Sequence, residues 1–503
     1  MKLRWKILIG IEIVVVLTVL ISVVRHYQLR FAVDKYISEL KAKGEPLELA
    51  QVIPPPVPPE QNAVPLIINT LTNFENAYNI IETNPPSAMR VVASGKAMIG
   101  WRQPIIVGFD EIGLGGLLTN SWEDLESTLA AAKDNLNCLQ NLTNHPALDF
   151  NLDYGKIYSV QLRHLYQLKV AAQSLGAEAL YDLHERKTSE ACANVRLILV
   201  LVKGEAEERL EISQLVRSAL ANIVASLTWE ILQDPNVSES DLAMLQHDWE
   251  SIEFLDAAKK SFLAERVVNL LSMEHYLQNP SDLWNGVNGN DQEISRKLCK
   301  FYWQWFGVYS DEKRMMQAYQ VLADATQMTE TNHSFQSAKS FVRTNFDQIG
   351  FEKWHFPEEG TFRIDIDPFG VWWLLSEDAF DSFQLLRRAS AIETAKNMTL
   401  AAIALKRYEL QHREFPSSLD DLEPEFLKVI PLDYMNGKPL RYKLNSDGTF
   451  LLYSVGENGV DEGGKPTIHK WWEFYWLAHD FDLVWPQPAT EAEIQNYFAH
   501  PPK

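Results

Sequence analysis

Two aspartates at alternate positions, Asp365 and Asp367, are the nearest approach to a catalytic pair in this sequence. In a β-strand, residues two apart lie on the same face, so the two carboxylates would lie side by side. Paired carboxylates can divide general acid and general base chemistry between them. The chain has 67 acidic residues, however, and two of them on one face of a strand favour a solvated surface over a catalytic site.

Sequence motifs that carry chemistry by themselves are absent. The chain has neither a Gly-x-Ser-x-Gly nucleophile elbow nor a His-Glu-x-x-His zinc motif. It also lacks a complete Gly-x-x-x-x-Gly-Lys-Ser/Thr phosphate loop, because the match at 459–465 is followed by Pro466. The glycines Gly113, Gly115 and Gly116 lack a strand-to-helix setting and favour a flexible turn. The twelve histidines show no metal-ligand spacing. An enzyme whose site is assembled from distant residues stays an alternative.

Composition narrows the function classes. The chain has 503 residues, enough for two or three domains, and its 46% hydrophobic and 11% aromatic residues indicate a folded protein. The formal net charge of −21 repels a phosphate backbone, so we expect no nucleic acid partner. Cys138, Cys192 and Cys299 are too few and too scattered for a disulfide framework or a structural zinc site.

The N-terminus predicts a membrane anchor within residues 1–30. Basic residues precede the stretch 7–24, in which only Glu12, Thr18 and Ser22 are not apolar. As a helix this stretch spans about 27 Å, enough for the hydrocarbon core of a bilayer. A cleavable signal peptide has a shorter core and an Ala-x-Ala-like exit, so we expect a retained single-pass span. The basic end should stay cytoplasmic, which places the bulk of the chain outside the cytoplasmic membrane.

The next three segments are expected to differ in composition and structure. Residues 31–63 contain a helical continuation and a proline-rich run, 54–59, that predicts a polyproline II stalk. Residues 64–285 show helical periodicity and predict a domain of antiparallel helices, including long ones at 159–183 and 207–232. The residues from Ser238 to Asp241 have capping-box character and predict the start of a further helix. Residues 286–375 form an aromatic-rich connecting region. Its run at 301–306 favours a buried element, with an aromatic ligand platform or a membrane-facing patch as alternatives.

The last segment, residues 376–503, predicts an α+β module. A helix over 377–411 carries one apolar stripe, with Lys396, Lys406 and Arg407 largely off it. The alternating residues 440–444 predict a half-buried strand, the turn signal at 445–448 a hairpin, and 449–455 the return strand. The fold class expected for the whole chain is therefore mainly α, with a C-terminal α+β module.

The C-terminal module resembles the globular head of the major pseudopilins of type II secretion. The residues that carry the resemblance are 401–408, 415–419, 433–442 and 453–459, and a further, separate segment at 480–485 also matches the pattern. The resemblance implies a pilin-like helix packed on a small antiparallel sheet. Pilins also carry a glutamate as the fifth residue of the chain that remains after cleavage behind a glycine. For Glu12 to be that glutamate, position 7 would have to be glycine, but the residue there is Ile7. Glu12 is either functional or reaches towards the membrane edge, and the chain is not a simple filament subunit.

The resemblance also implies calcium in the loop that follows the return strand. The corresponding ligands in this chain would be Asn458, Asp461, Asp480 and Asp482. Asn458 stands where the family has an aspartate, which removes one negative charge and should weaken calcium binding. An insertion rich in aromatic residues, 469–479, lengthens the loop beyond the family's form. The alternative is a glycine-rich loop capped by hydrogen-bonded Asp side chains, without a metal.

Together these patterns predict a single-pass protein of the bacterial cell envelope with its bulk outside the cytoplasmic membrane. The whole chain looks like uncharacterised membrane-anchored proteins of planctomycete and verrucomicrobial bacteria, a resemblance that brings no activity with it. We expect a non-enzymatic binding or scaffolding protein with protein partners in the envelope. One alternative is an accessory component of a type II secretion or pilus-like assembly, and a second is an envelope hydrolase without a recognisable motif.

Overall fold

The computed structural model describes residues 2–71, 81, 84–108, 119–159, 162–279, 303–350, 379, 381–465, 475–477 and 481–500. This part of the chain is mainly helical with small, mostly antiparallel sheets, as the sequence predicts. The predictions made for Asp365 and Asp367, for the glycines at 113–116 and for Asp480 lie outside the described residues.

Helices form the framework. They are α1 (Lys2–Ala42), α2 (Leu49–Val52), α3 (Val64–Leu71), α4 (Trp122–Ala131), α5 (Lys133–Leu139), α6 (Arg163–His184), α7 (Thr188–Gly204), α8 (Glu211–Leu232), α9 (Glu239–Glu250), α10 (Leu255–Gln278), α11 (Val308–Asn332), α12 (Phe335–Gln348), α13 (Phe383–His412) and α14 (Glu491–Ala499). The strands are β1 (Arg90–Ala93), β2 (Lys96–Met98), β3 (Ile106–Val107), β4 (Thr119–Asn120), β5 (Leu432–Asp433), β6 (Lys438–Pro439), β7 (Arg441–Leu444), β8 (Phe450–Ser454), β9 (Leu483–Val484) and β10 (Gln487–Pro488).

The middle of the chain packs as antiparallel helices. Helices α6, α7 and α8 contact one another, and their apolar positions recur every three or four residues, as the sequence indicates. The predicted helices at 159–183 and 207–232 begin later, at Arg163 and Glu211. The predicted cap at Ser238 is confirmed, since its hydroxyl accepts a hydrogen bond from the backbone N–H of Asp241 at 3.1 Å. The short polar turn 185–187 connects α6 to α7, and the two helices form a hairpin.

The long C-terminal helix α13 is buried on all sides over most of its length. It packs on β8, as expected for a helix on a sheet, and also contacts α8, α9 and α10. Lys396, predicted to lie off the apolar face, is buried and pairs with Glu393, and its Nζ donates to the carbonyl of Ile252 at 2.9 Å. The single-stripe prediction is therefore incomplete, because helices cover the face opposite the sheet.

The predicted C-terminal hairpin is present. Strand β7 pairs antiparallel with β8, with Tyr442 opposite Leu452, and β9 adds a third antiparallel strand. Further along the chain, β10 pairs parallel with β2, so the end of the chain joins a hairpin near the beginning. One contiguous hydrophobic core runs from Val33 to Trp485. The helical part and the C-terminal module therefore share a core.

The second half of α1 and the proline-rich run lie against residues 64–500, called the body from here on. Val33 and Leu40 of α1 are buried, and the helix contacts α11. After α1, Arg266 of α10 donates to the carbonyl of Pro46 at 2.8 Å and pairs with Glu45 at 3.2 Å. Within the proline-rich run, the backbone N–H of Val57 donates to the carboxylate of Asp149 at 3.4 Å. The segment that the sequence predicts as a stalk is thus in contact with the body.

Candidate functional site

The loop after β8 carries the residues to which the pseudopilin resemblance assigns calcium. Its base is fixed by Asp433, a fully buried carboxylate. Asp433 accepts hydrogen bonds from the backbone N–H of Val455 at 2.9 Å and from the hydroxyl of Ser454 at 2.8 Å. Gly464 closes the loop with a φ of +73°, and a Cβ there would lie 2.8 Å from the Leu451 side chain. The loop conformation therefore requires glycine at that position.

Asp482, one of the predicted ligands, lies in this loop beside a carboxylate that the sequence did not indicate, Glu462. Oδ2 of Asp482 accepts a hydrogen bond from the backbone N–H of Gly464 at 2.7 Å. Oδ1 of Asp482 and Oε2 of Glu462 are buried and have no hydrogen-bond partner among the described residues. Burial raises the pKa of Asp482 to about 6, and the neighbouring Glu462 carboxylate adds to this shift. Within the described part of the loop, these two acidic oxygens have no donor at hydrogen-bond distance.

Asn458 and Asp461 are engaged in closing the loop. Oδ1 of Asn458 accepts from the backbone N–H of Val460 at 2.8 Å, and its Nδ2 donates to Glu462 at 2.7 Å. Oδ1 of Asp461 accepts from the N–H of Gly463 and from the hydroxyl of Tyr453. Asp461 also lies 3.5 Å from the guanidinium of Arg441. These are the contacts expected of a loop capped by its own polar side chains.

The described part of the loop fits a calcium ion only in part. Calcium takes 6–8 oxygen ligands, and the unpartnered oxygens of Asp482 and Glu462 supply two. The side-chain oxygen of Asn458 is committed to the backbone, and the cation Arg441 already neutralises Asp461. Calcium stays a prediction, in which Glu462 and Asp482 would hold the ion with backbone carbonyls and with residues outside the described part, such as Asp480.

A second group of side chains of the types that can ligate a metal lies inside the helical part of the body. The ring of His164 and the carboxylates of Glu205 and Glu208 each place one donor atom within 4.8 Å of the others. Their exposed fractions are 6%, 1% and 7%, respectively. The histidines carry no metal-ligand spacing in the sequence, so this group is brought together by the fold alone.

The local structure explains why the two glutamates face the same way. A 3₁₀ turn, Glu205–Glu207, joins α7 to α8. Three residues make one turn of a 3₁₀ helix, so side chains three apart lie above one another. A Cβ at Gly204 would lie 2.8 Å from Leu148, so the turn depends on a glycine at its start. His164 meets the glutamates because α6, α7 and α8 pack together.

The two carboxylates differ sharply in their partners. Oε1 of Glu208 is hydrogen-bonded to Nε2 of His164 at 2.9 Å and accepts a hydrogen bond from the Ser213 hydroxyl. Neither carboxylate oxygen of Glu205 has a partner among the described residues. Burial raises the pKa of Glu205 well above its usual range, and the charge of Glu208 raises it further, while Arg217 opposes the shift. Glu205 is therefore the least satisfied member of the group.

This group could hold a cation or share a proton between its two acids. A substrate larger than water could reach it only if the surrounding helices moved, because all three side chains are buried. That burial disfavours a hydrolase site here. The signal that the sequence analysis missed is a Glu-x-x-Glu pair directly after a glycine, at 204–208, but only the fold adds the histidine.

No family model, no curated protein and no solved structure gives a significant match to this chain.

Proposed function

We propose that this chain is a membrane-anchored binding or scaffolding protein of the bacterial cell envelope, with its body outside the cytoplasmic membrane. One observation carries the proposal. Residues 9–21 of α1 are apolar except for Glu12 and Thr18 and are exposed throughout, whereas the second half of the same helix is docked on the body, with Val33 and Leu40 buried. A helix long and apolar enough to span a membrane therefore continues into the fold without a break.

The docked half of α1 would fix the body relative to the membrane. Val33 and Leu40 are buried against the body, and Arg266 holds the turn that follows the helix. Helix α8 is also long and apolar enough to cross a membrane, but 78% of its apolar window is buried. It belongs to the protein core, so among the described helices α1 is the candidate for the anchor. A body held in one orientation relative to the membrane would present the same face to binding partners in the envelope.

Aromatic side chains support a membrane boundary near residue 27. Tyr27 of α1 is 62% exposed and Trp305 of the body is 42% exposed. His26 links them, because its ring lies 5.1 Å from that of Trp305 and 5.8 Å from that of Tyr27. Exposed Trp and Tyr are enriched where a membrane meets water. This supports the membrane-facing interpretation for Trp305, while its neighbour Trp303 is fully buried.

The orientation follows from charge. Lys2, Arg4 and Lys6 precede the span and favour a cytoplasmic N-terminus. Arg25, Arg30 and Lys35 lie beyond the span and oppose this orientation.

A role in a type II secretion or pilus-like assembly is the second candidate. It is favoured by α13 packed on the antiparallel β7–β8–β9 sheet and by the carboxylates Glu462 and Asp482 in the loop beside it. In that role the C-terminal module would contact other subunits of the assembly.

The anchor is tested by carbonate extraction of the full-length protein from membranes of a bacterial host. We expect the protein to stay in the membrane pellet. Substituting Val16→Lys together with Leu20→Lys should release it, since each central charge costs about 3 kcal/mol of insertion. Ile212→Lys with Val429→Lys, at exposed apolar positions of the body, is the matched control and should stay in the pellet. Release of the wild-type protein would contradict the anchor.

The role is tested by crosslinking the anchored protein in its native envelope, with the released variant as the control. Partners recovered only with the anchored protein would support binding or scaffolding. Enrichment of secretion or pilus subunits among them would favour the second candidate. Recovery of the same proteins with both forms would contradict a role that depends on the anchor.

A further inference from the structure

We propose that His164, Glu205 and Glu208 bind one divalent transition-metal ion, with zinc the best match, and that the ion ties the start of α6 to the turn between α7 and α8. The three donor atoms lie within 4.8 Å of one another. Ligand atoms on a tetrahedral zinc ion with bonds of about 2.0 Å are about 3.3 Å apart. The donor atoms therefore need to move only slightly to close around an ion.

The ligand types select the metal. An imidazole nitrogen suits zinc, iron, nickel or copper, whereas magnesium and calcium prefer oxygen ligands alone. Two carboxylates with one neutral histidine also balance the charge of a dication. A buried site with this charge balance avoids the cost of burying unpaired carboxylates.

Glu205 provides an independent indication of a missing partner. Its side chain is 1% exposed, yet neither of its oxygens is hydrogen-bonded among the described residues. The nearby cation Arg217 does not fill this role, because its donors go to the carbonyls of Val202 and Glu253 and to the side chain of Gln214. A buried polar group without a partner is costly, and a metal ion held with Glu208 would supply the partner.

The neighbouring contacts would orient the other ligands. The hydroxyl of Ser213 donates to Glu208, and Gln214 donates to the backbone carbonyls of Glu205 and Glu208, at 3.1 and 2.6 Å. The ring of Phe150 lies 4.3 Å from that of His164. With all three ligands buried, the site would serve stability rather than catalysis.

The test uses the full-length, tag-free protein in detergent, depleted of metal and titrated with zinc against a competing chelator. We expect one zinc ion per chain and a higher melting temperature with zinc. Glu205→Gln keeps the side-chain volume and should weaken zinc binding at least tenfold, since even loss of an outer partner of a ligand costs about 10–100-fold. The control is Glu230→Gln, which alters a fully buried glutamate near the far end of α8, about 28 Å from the first residue of that helix, and should bind zinc as the wild type does.

Ser213→Ala keeps all three ligands and removes only the hydroxyl that donates to Glu208, so it should weaken zinc binding about tenfold. This variant replaces Glu205→Gln as the test if Glu205→Gln does not fold. Cobalt provides a second readout, because bound Co²⁺ should give visible absorption bands that Glu205→Gln abolishes. The proposal is overturned if the wild type binds less than about 0.1 zinc per chain with no change in melting temperature. It is equally overturned if Glu205→Gln melts higher than the wild type and zinc affects neither, because the two acids then share a proton.

Discussion

Glu230 gives the body a predictable pH dependence. Its carboxylate lies fully buried near the end of α8, where Oε1 accepts hydrogen bonds from the backbone N–H of Met89 at 2.7 Å and of Gly100 at 2.9 Å. These contacts attach the segment containing β1 and β2 to α8. Burial nevertheless dominates and raises the pKa of Glu230 from 4.5 to about 7. The folded state therefore holds a proton that the unfolded chain releases near pH 4.5.

The sign of the effect follows from that order of pKa values. The stabilisation due to the raised pKa of Glu230 is fully present below pH 4.5 and is lost as the pH rises through about 7. A shift of this size corresponds to about 3 kcal/mol of unfolding free energy. Glu230→Gln cannot ionise and keeps one acceptor oxygen, at the cost of a buried amide N–H₂ group worth about 1–3 kcal/mol.

The assay is urea unfolding of the wild-type protein and of Glu230→Gln at several pH values between 5 and 8. The wild type should be the more stable at pH 5, and its advantage should shrink or reverse by pH 8. Glu123→Gln, an exposed position in the first turn of α4, should show a constant difference from the wild type. A constant difference for Glu230→Gln as well would refute the reasoning, because Glu230 would then keep the same charge throughout.

Three further perturbations test separate parts of the structure. Arg266→Met should destabilise the junction after α1 by about 2–3 kcal/mol. This cost is smaller than that of breaking a fully buried ion pair, because Glu45 is partly exposed. Amide hydrogen exchange at residues 43–53 should become faster. Asp433→Asn removes one of two charged acceptor oxygens at the base of the loop and should cost about 1–3 kcal/mol in urea unfolding. If calcium binds the loop, it should raise the melting temperature of the full-length protein relative to chelator, and Asp482→Asn should erase that rise. Equal melting temperatures with and without the ion would remove the calcium prediction.

Local signals predicted the local structure well. The cap at Ser238 and the β7–β8 hairpin each depend on residues within a few positions of one another, so the sequence contains all the information needed. The apolar periodicity of α6 and α8 likewise marks helices that the fold buries.

Contacts between distant segments could not be predicted in this way. Lys396 looked like a solvent-facing residue, yet α13 is enclosed by other helices, where the lysine finds Glu393 and a carbonyl as partners. The group of His164, Glu205 and Glu208 arises only when three helices pack, so no spacing in the sequence shows it. Glu462 was missed because the pseudopilin pattern places its ligands at other positions of the loop.

The central claim, a membrane anchor with the body outside the cytoplasmic membrane, is tested most directly by labelling Cys138. Its side chain is exposed on the body, whereas Cys192 is buried and burial raises the pKa of its thiol to about 12. In a chain with Cys299→Ser, a membrane-impermeant maleimide should label Cys138 equally in intact and lysed spheroplasts. When Cys138→Ser and Lys2→Cys are also introduced, the cysteine at position 2 lies on the cytoplasmic side in the proposed orientation. It should therefore be labelled only after lysis. Labelling of Cys138 only after lysis would contradict the account.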